Sequence, residues 1–172
     1  MAGVFGRIRD RALGVPLYTT YNYKGGYEAG TNVGPVMTGG AFSVMDIKVD
    51  MAALAAARVA AGQAAITTAD VLQLFGIKAG QWILSTAIQC TTAEGATMTV
   101  DLGDGTATSG FQNDSDMNTV GWTSALAATS LSLAVAGGKI YTADDTIDLI
   151  PNNATPATFV AVIGVLRLIS RS

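Results

Sequence analysis

The 172-residue sequence contains no histidine. That absence removes Ser-His-Asp and Cys-His nucleophile pairs, His-ligated zinc and imidazole acid–base catalysis. There is one cysteine, Cys90, so no intrachain disulfide can form. Its setting, Ala87-Ile88-Gln89-Cys90-Thr91, reads as a strand, where a cysteine acts as a small buried apolar residue. Charge is scarce: 13% of residues are Asp, Glu, Lys or Arg, about half the ~25% of an ordinary domain. No run of about 18 apolar residues exists, so no membrane-spanning helix and no membrane partner is expected. The nearest approach, Phe159 to Ile169, is interrupted near its end by Arg167. Arg7, Arg9 and Arg11 are not followed by an apolar run of the length an export signal needs.

What is present is 20 glycines, abundant threonine and a 49% hydrophobic content rich in alanine. Few helix-favouring Glu or Lys residues and many small ones argue against a helical bundle. They suit a β-protein with many turns, partly buried by other subunits, because a lone monomer so poor in charge would be poorly soluble. The net charge of −3 is unevenly spread. Residues 1–27 carry Arg7, Arg9, Arg11 and Lys24 against Asp10, which is +3. The remaining six bases face twelve acids, which is −6. An acidic body and a basic arm suggest two surfaces with different partners. Nucleic acid is not expected as a partner, since phosphate contacts need clustered Lys and Arg. Three arginines without an aromatic stacking sheet favour an acidic protein surface instead.

Residues 1–40 read as an extended N-terminal arm, and residues 41–172 as the folded domain. Four of the five tyrosines, Tyr18, Tyr21, Tyr23 and Tyr27, lie in the arm among glycines and two prolines. No period of 3.6 or 2 persists there. Such a segment has little to bury by itself, and its aromatic and Arg side chains are of the kind that anchor protein interfaces. Arg7, Arg9, Arg11 and the four tyrosines are therefore the candidate partner-contact residues.

The first clear strand is Phe42 to Met51, where Met45, Ile47, Val49 and Met51 alternate with Asp46, Lys48 and Asp50. Ala52 to Ala61 suits a short helix ended by Gly62, or an irregular crossing. Thr67 or Thr68 predicts a cap for one helical turn over Val71 to Phe75, stopped by Gly76. Strands follow over Trp82–Cys90, Thr97–Leu102, Leu126–Val135, Lys139–Tyr141, Thr146–Ile150 and Thr158–Ile169. Turns are expected at Glu94-Gly95, Asp104-Gly105, Gly137-Gly138 and Pro151-Asn152-Asn153, with a polar loop over residues 103–121. The last strand is apolar on both faces, as in a central strand or a subunit interface. The fold class is all-β: an antiparallel β-sandwich or jelly roll.

The acidic run from Asp101 to Asp116 contains Asp101-Leu102-Gly103-Asp104-Gly105-Thr106, which could curve carboxylates around a hard cation. It lacks the spacing and final Glu of an EF-hand, and the preferred reading is a hairpin turn with a solvated acidic loop. Asp144, Asp145 and Asp148 could resemble a catalytic carboxylate pair, but no nucleophile, base or oxyanion donor accompanies them. Gly25-Gly26 and Gly39-Gly40 lack the strand, Lys and helix of a phosphate loop and read as hinges. Trp82 and Trp122 read as core or interface packing, with a ligand platform as the lesser alternative. No cofactor, no metal and no enzymatic activity is expected.

Residues Asp46-Ile47-Lys48-Val49-Asp50, Ala69-Asp70-Val71-Leu72-Gln73-Leu74, Thr92-Ala93-Glu94-Gly95-Ala96, Val100-Asp101-Leu102-Gly103-Asp104-Gly105 and Tyr141-Thr142-Ala143-Asp144-Asp145-Thr146-Ile147-Asp148-Leu149 carry a resemblance. From Met45 to Ile169 the chain resembles head decoration (cement) proteins of tailed bacteriophages. The resemblance implies a β-sandwich subunit, commonly a homotrimer. It would be made in the host bacterial cytoplasm and sit on the capsid exterior, bridging neighbouring copies of the major capsid protein. Two alternatives remain: a tail, fibre or head-spike structural protein, and a carbohydrate- or calcium-binding module using Trp122 and the Asp101–Asp116 loop.

Overall fold

The computed structural model describes residues 5–10, 16–20, 41–95, 97–124 and 138–169. They form two antiparallel sheets and one helix, an all-β sandwich. The strands are β1 (Phe5–Asp10), β2 (Pro16–Thr20), β3 (Ala41–Asp50), β4 (Leu72–Ile77), β5 (Gln81–Thr92) and β6 (Thr99–Gly103). They continue with β7 (Gln112–Asp116), β8 (Gly121–Ser124), β9 (Lys139–Ile140), β10 (Asp145–Asn152) and β11 (Val160–Ile169). The helix α1 (Met51–Ala60) follows β3 directly. One sheet has six strands in the order β2-β1-β4-β10-β6-β7; the other runs β3-β11-β5-β8, with β9 also paired to β5.

The alternation in β3 does what its sequence implies. Met45, Ile47 and Val49 are buried, while Val44 and Lys48 are exposed. β11 is central, flanked by β3 and β5 along its full length. Its Ala161, Ile163 and Val165 are wholly buried, and Val160, Val162, Leu166 and Leu168 are half-buried. The apolar core between the sheets draws on both, including Leu72, Leu102 and Leu149 from the six-stranded one.

Helix α1 carries the chain from one sheet to the other. Asp50 caps its start by accepting from the Ala53 amide at 3.1 Å, a contact typically worth about 1 kcal/mol. Met51, Leu54 and Arg58 form its buried stripe. At its end the Gly62 amide donates to Val59 O and the Gln63 amide to Arg58 O. That pair of bonds is a Schellman closure, and it requires the left-handed Gly62 at φ +74. The buried Arg58 guanidinium donates to Asp70 Oδ1 at 3.0 Å, tying the helix to the turn before β4.

Three expectations are corrected. Val71 to Phe75 is not a helical turn but opens onto β4. The Asp70 carboxylate, not a threonine cap, closes the preceding turn by accepting from the Thr67 amide and hydroxyl. Sheet pairing then overrides local propensity: β4 lies between β1 and β10, and its register with β10 steps past Leu74. That bulge is why consecutive Leu74 and Phe75 are both buried. Second, the polar loop at 103–121 contains β7, a strand of sequence QNDSD held by pairing with β6. Third, Pro151 belongs to β10. It lies beyond the end of the β4 pairing, the edge-like place where a strand tolerates proline. The turn comes later, at Asn153 with φ +64. The expected strand over Leu126–Val135 lies outside the described residues.

Candidate functional site

Residues directly opposite in an antiparallel pair share a face. One face of the five-stranded sheet carries Ile47, Ile163 and Ile88 in register, all fully buried. The opposite face carries the row Lys48–Val162–Gln89–Trp122, the pair Val44–Leu166, and the row Leu168–Trp82–Ile140. Trp122, Val44 and Ile140 are 67%, 64% and 61% exposed. Three of the five exposed large hydrophobic side chains among the described residues thus lie on this one face. Scattered exposed apolar residues mean little alone, but these share their face with the half-buried Val162, Leu166, Leu168 and Trp82. Trp122 is therefore no core residue, whereas Trp82 is half-buried.

The outward face of the six-stranded sheet is chemically different. Register places Thr99 opposite both Asn152 and Asp116, and Asp101 opposite Ile150. Ile150 is the one apolar residue in that group.

At the β8 edge of the sandwich, on the side of the buried face, lies a cavity of about 220 Å³. Its floor is Ile88, Cys90 and Met117, all buried, and its rim holds Asp116, Val120 and Trp122. Burial, with Asp116 nearby, pushes the Cys90 thiol up, so it is an inert small side chain as its sequence setting implies. The Asn118 amide, then the Thr119 hydroxyl, hold Asp116 below the usual carboxylate range.

The acidic loop is organised by its own carboxylates. Asp104 is wholly buried and accepts from the Thr106 and Ala107 amides, the Lys139 ammonium at 2.6 Å and the Tyr141 hydroxyl at 2.7 Å. Four donors fill the sites a carboxylate offers. Burial pushes Asp104 up, but the Lys139, Ala107, Tyr141 and Thr106 hydrogen bonds together hold it below its ordinary value. Burial and the Asp104 contact both push Tyr141 up. Gly103 is required here, because a Cβ would stand 2.0 Å from Ala107 O. Asp101 accepts from the Asp114 amide at 2.8 Å, which holds the bulge where Asp114 adopts φ +50. Asp114 accepts from Thr99 Oγ1 and Asn113 Nδ2, and Asp116 from the Asn118 amide. These carboxylates shape the β6–β7 hairpin, and among the described residues no three or more acidic or Cys side chains converge as metal ligands would.

The Asp144 group is likewise not a carboxylate pair. Asp144 is exposed and bonded to Lys78 and to the Ala79 amide, while Asp148 is fully buried.

One contact was invisible in the sequence. Glu94 accepts from three successive amides, Ala157 at 3.0 Å, Thr158 at 2.7 Å and Phe159 at 2.8 Å. Burial pushes Glu94 up, but the Thr158, Phe159 and Ala157 amides outweigh it and hold its carboxyl low. It clamps the entry to β11 onto the end of β5. Glu94-Gly95 announced only a turn, and Gly95 at φ +118 supplies one.

With this geometry in hand, comparison locates the fold. The chain is similar to a chain of the cyanophage Pam1 capsid asymmetric unit, with a TM-score of 0.53 and 16% identity over 86% of this chain and 99% of that one. A second likeness is to a chain in the acidic stable capsid structure of Helicobacter pylori bacteriophage KHP30. Its TM-score is 0.41, with 12% identity over 74% of this chain and 87% of that one. No family model matches the chain, and no curated protein matches it. The shared feature is the fold, which the first likeness covers almost end to end.

Within the segment read as an arm, β1 and β2 form a hairpin, and β1 pairs with β4 at the end of the six-stranded sheet. Arg7 is opposite Tyr18, and Arg9 is opposite Pro16 and Gln73. Three of the seven predicted contact residues, Arg7, Arg9 and Tyr18, thus share one hairpin. Arg11, Tyr21, Tyr23 and Tyr27 lie outside the described residues. The last strand, apolar on both faces, was read from the sequence as a central strand or a subunit interface; the exposed Val44 and Ile140 that join its outward face were not singled out.

Proposed function

We propose that this protein is a non-enzymatic structural subunit of a tailed-phage virion, a decoration protein on the capsid exterior that bridges and stabilises neighbouring major capsid proteins. The observation that carries this reading is the fold match to a chain in a cyanophage capsid asymmetric unit, which spans 99% of that chain. The resemblance in the strand and turn motifs agrees with it. Two surfaces divide the work. The apolar outward face of the five-stranded sheet meets further copies in a homotrimer, and Arg7, Arg9, Arg11, Tyr18, Tyr21, Tyr23 and Tyr27 contact the capsid protein. Binding the mature lattice and not its loosened form stabilises the lattice by linkage. Three copies around one axis multiply weak contacts through effective concentration.

The test is cosedimentation of purified protein with capsid shells that lack it, alongside a form missing residues 1–38. Saturation at fixed stoichiometry, much reduced by the truncation, is the expected result. Failure of the full-length protein to bind any shell would sink the decoration reading and leave a tail, fibre or head-spike role.

A further inference from the structure

We infer, resting on the homotrimer reading, that the outward face of the five-stranded sheet receives helix α1 of a second copy of this chain. A ring of three copies closes through head-to-tail contacts, so two different patches of one chain must fit each other. The outward face is one of them. Five large hydrophobic side chains are exposed among the described residues, and Val44, Trp122 and Ile140 belong to that face. Of the other two, Val120 is a single residue just before β8, and Val59, 60% exposed, stands on α1.

Helix α1 lacks the polar side that a helix facing water carries. Its one charged residue, Arg58, is buried against Asp70. Its outer surface is Ala52, Ala53, Ala56, Val59 and Ala60, all exposed in the single chain. A helix that is apolar all round belongs in an interior, yet within its own chain α1 buries only Met51, Leu54 and Arg58.

The two surfaces are complementary in shape. On the sheet, Gly164 lies opposite Ala87, and a Cβ at Gly164 would meet nothing closer than Ala87 O at 4.0 Å. This low row runs between the row holding Val162 and Trp122 and the pair Val44–Leu166. Small side chains on the helix let the larger ones on the sheet pack between them. Ten residues of helix span about 15 Å, and four strands side by side span about 14 Å. The outer side of α1 brings no charge that the contact would strip of water. Two outward faces set against each other would oppose large side chains to large ones and close a pair, not a ring of three.

The test uses full-length chains with one added cysteine each, Val59→Cys or Val44→Cys, and a size tag on one of them. The native Cys90 is buried, and the wild-type chain measures its background. Co-expressed and treated with a short bis-maleimide, the two variants should give a mixed covalent dimer in several-fold excess over the product of either alone. Equal cross-linking by Val44→Cys alone would overturn the inference, because the face then meets its own copy. A mixed pair that yields no product would overturn it too. In a second arm, Ala56→Glu places a good helix former at an exposed position. It should leave the urea midpoint unchanged and weaken self-association about tenfold or more in analytical ultracentrifugation. Self-association equal to wild type, or a wild-type chain that stays monomeric, would overturn the inference. Shell binding by wild type without the mixed product would overturn the inference and leave the decoration reading standing. The mixed product without shell binding would do the reverse.

Discussion

The two sheets share one core yet present opposite chemistry to the outside. Outward residues of the six-stranded sheet are polar and acidic, and several are used up in shaping the β6–β7 hairpin. Outward residues of the five-stranded sheet are apolar along β11, where Val160, Val162, Leu166 and Leu168 are joined by Val44, Trp82, Trp122 and Ile140 from its neighbours. The difference makes them two chemically distinct surfaces.

The largest effect should come from breaking the polar half at its most buried point. Asp104→Ala strips four donors of their acceptor and leaves the Tyr141 hydroxyl and Lys139 without their partner. It should cost about 3–5 kcal/mol, read as a lower urea midpoint. Asp104→Asn, which keeps one acceptor oxygen, should recover part of that loss. If Asp104→Ala unfolds at the same urea concentration as wild type, the carboxylate is not the organiser of its loop.

Next comes acid. Asp104, Asp70 and Glu94 all have folded-state pKa values below their ordinary 3.8, 3.8 and 4.5. For Asp70, burial pushes up, but the Arg58 and Thr67 hydrogen bonds outweigh it. A carboxyl that binds its proton more weakly when folded adds stability in full above its unfolded pKa. That stability is lost as pH falls through the folded value. Melting temperature should therefore be flat near neutrality and fall below about pH 4. Glu94→Gln should lower stability by about 1–2 kcal/mol near neutral pH and make the acid limb shallower. An unchanged limb would remove Glu94 from the account.

The apolar face should behave in the opposite way. Val44→Ser, Trp122→Ser and Ile140→Ser should each change the stability of the isolated chain by no more than about 0.5 kcal/mol. Combined, they should weaken self-association or shell binding by about tenfold or more. Analytical ultracentrifugation and cosedimentation read this directly. Normal assembly by the triple variant would show that this face meets only solvent. The smallest effect belongs to the polar face: Asn152→Ser should shift neither stability nor binding beyond about 0.5 kcal/mol.

The absence of histidine and the lone cysteine already excluded His-based chemistry and an intrachain disulfide, and the scarcity of charge with abundant small residues pointed to a β-rich fold, because these are properties of composition. The alternation in β3, the helix ending at Gly62 and the apolar-on-both-faces β11 were legible too, since each pattern sits within ten residues. Other features were decided by tertiary structure. QNDSD has no strand signal of its own, and it becomes β7 because β6 lies beside it and Asp101 holds the bulge. Leu72 to Ile77 became a strand because β10 and β1 flank it. Glu94 reaches amides more than sixty residues away, a pairing no local pattern encodes. The outward face was half visible: periodicity showed that β11 is apolar on both sides. Only register could show that Val44, Trp122 and Ile140 from three other strands join it. Local physics is written in neighbouring residues, whereas a surface is assembled from distant ones, and only the folded chain brings them to one plane.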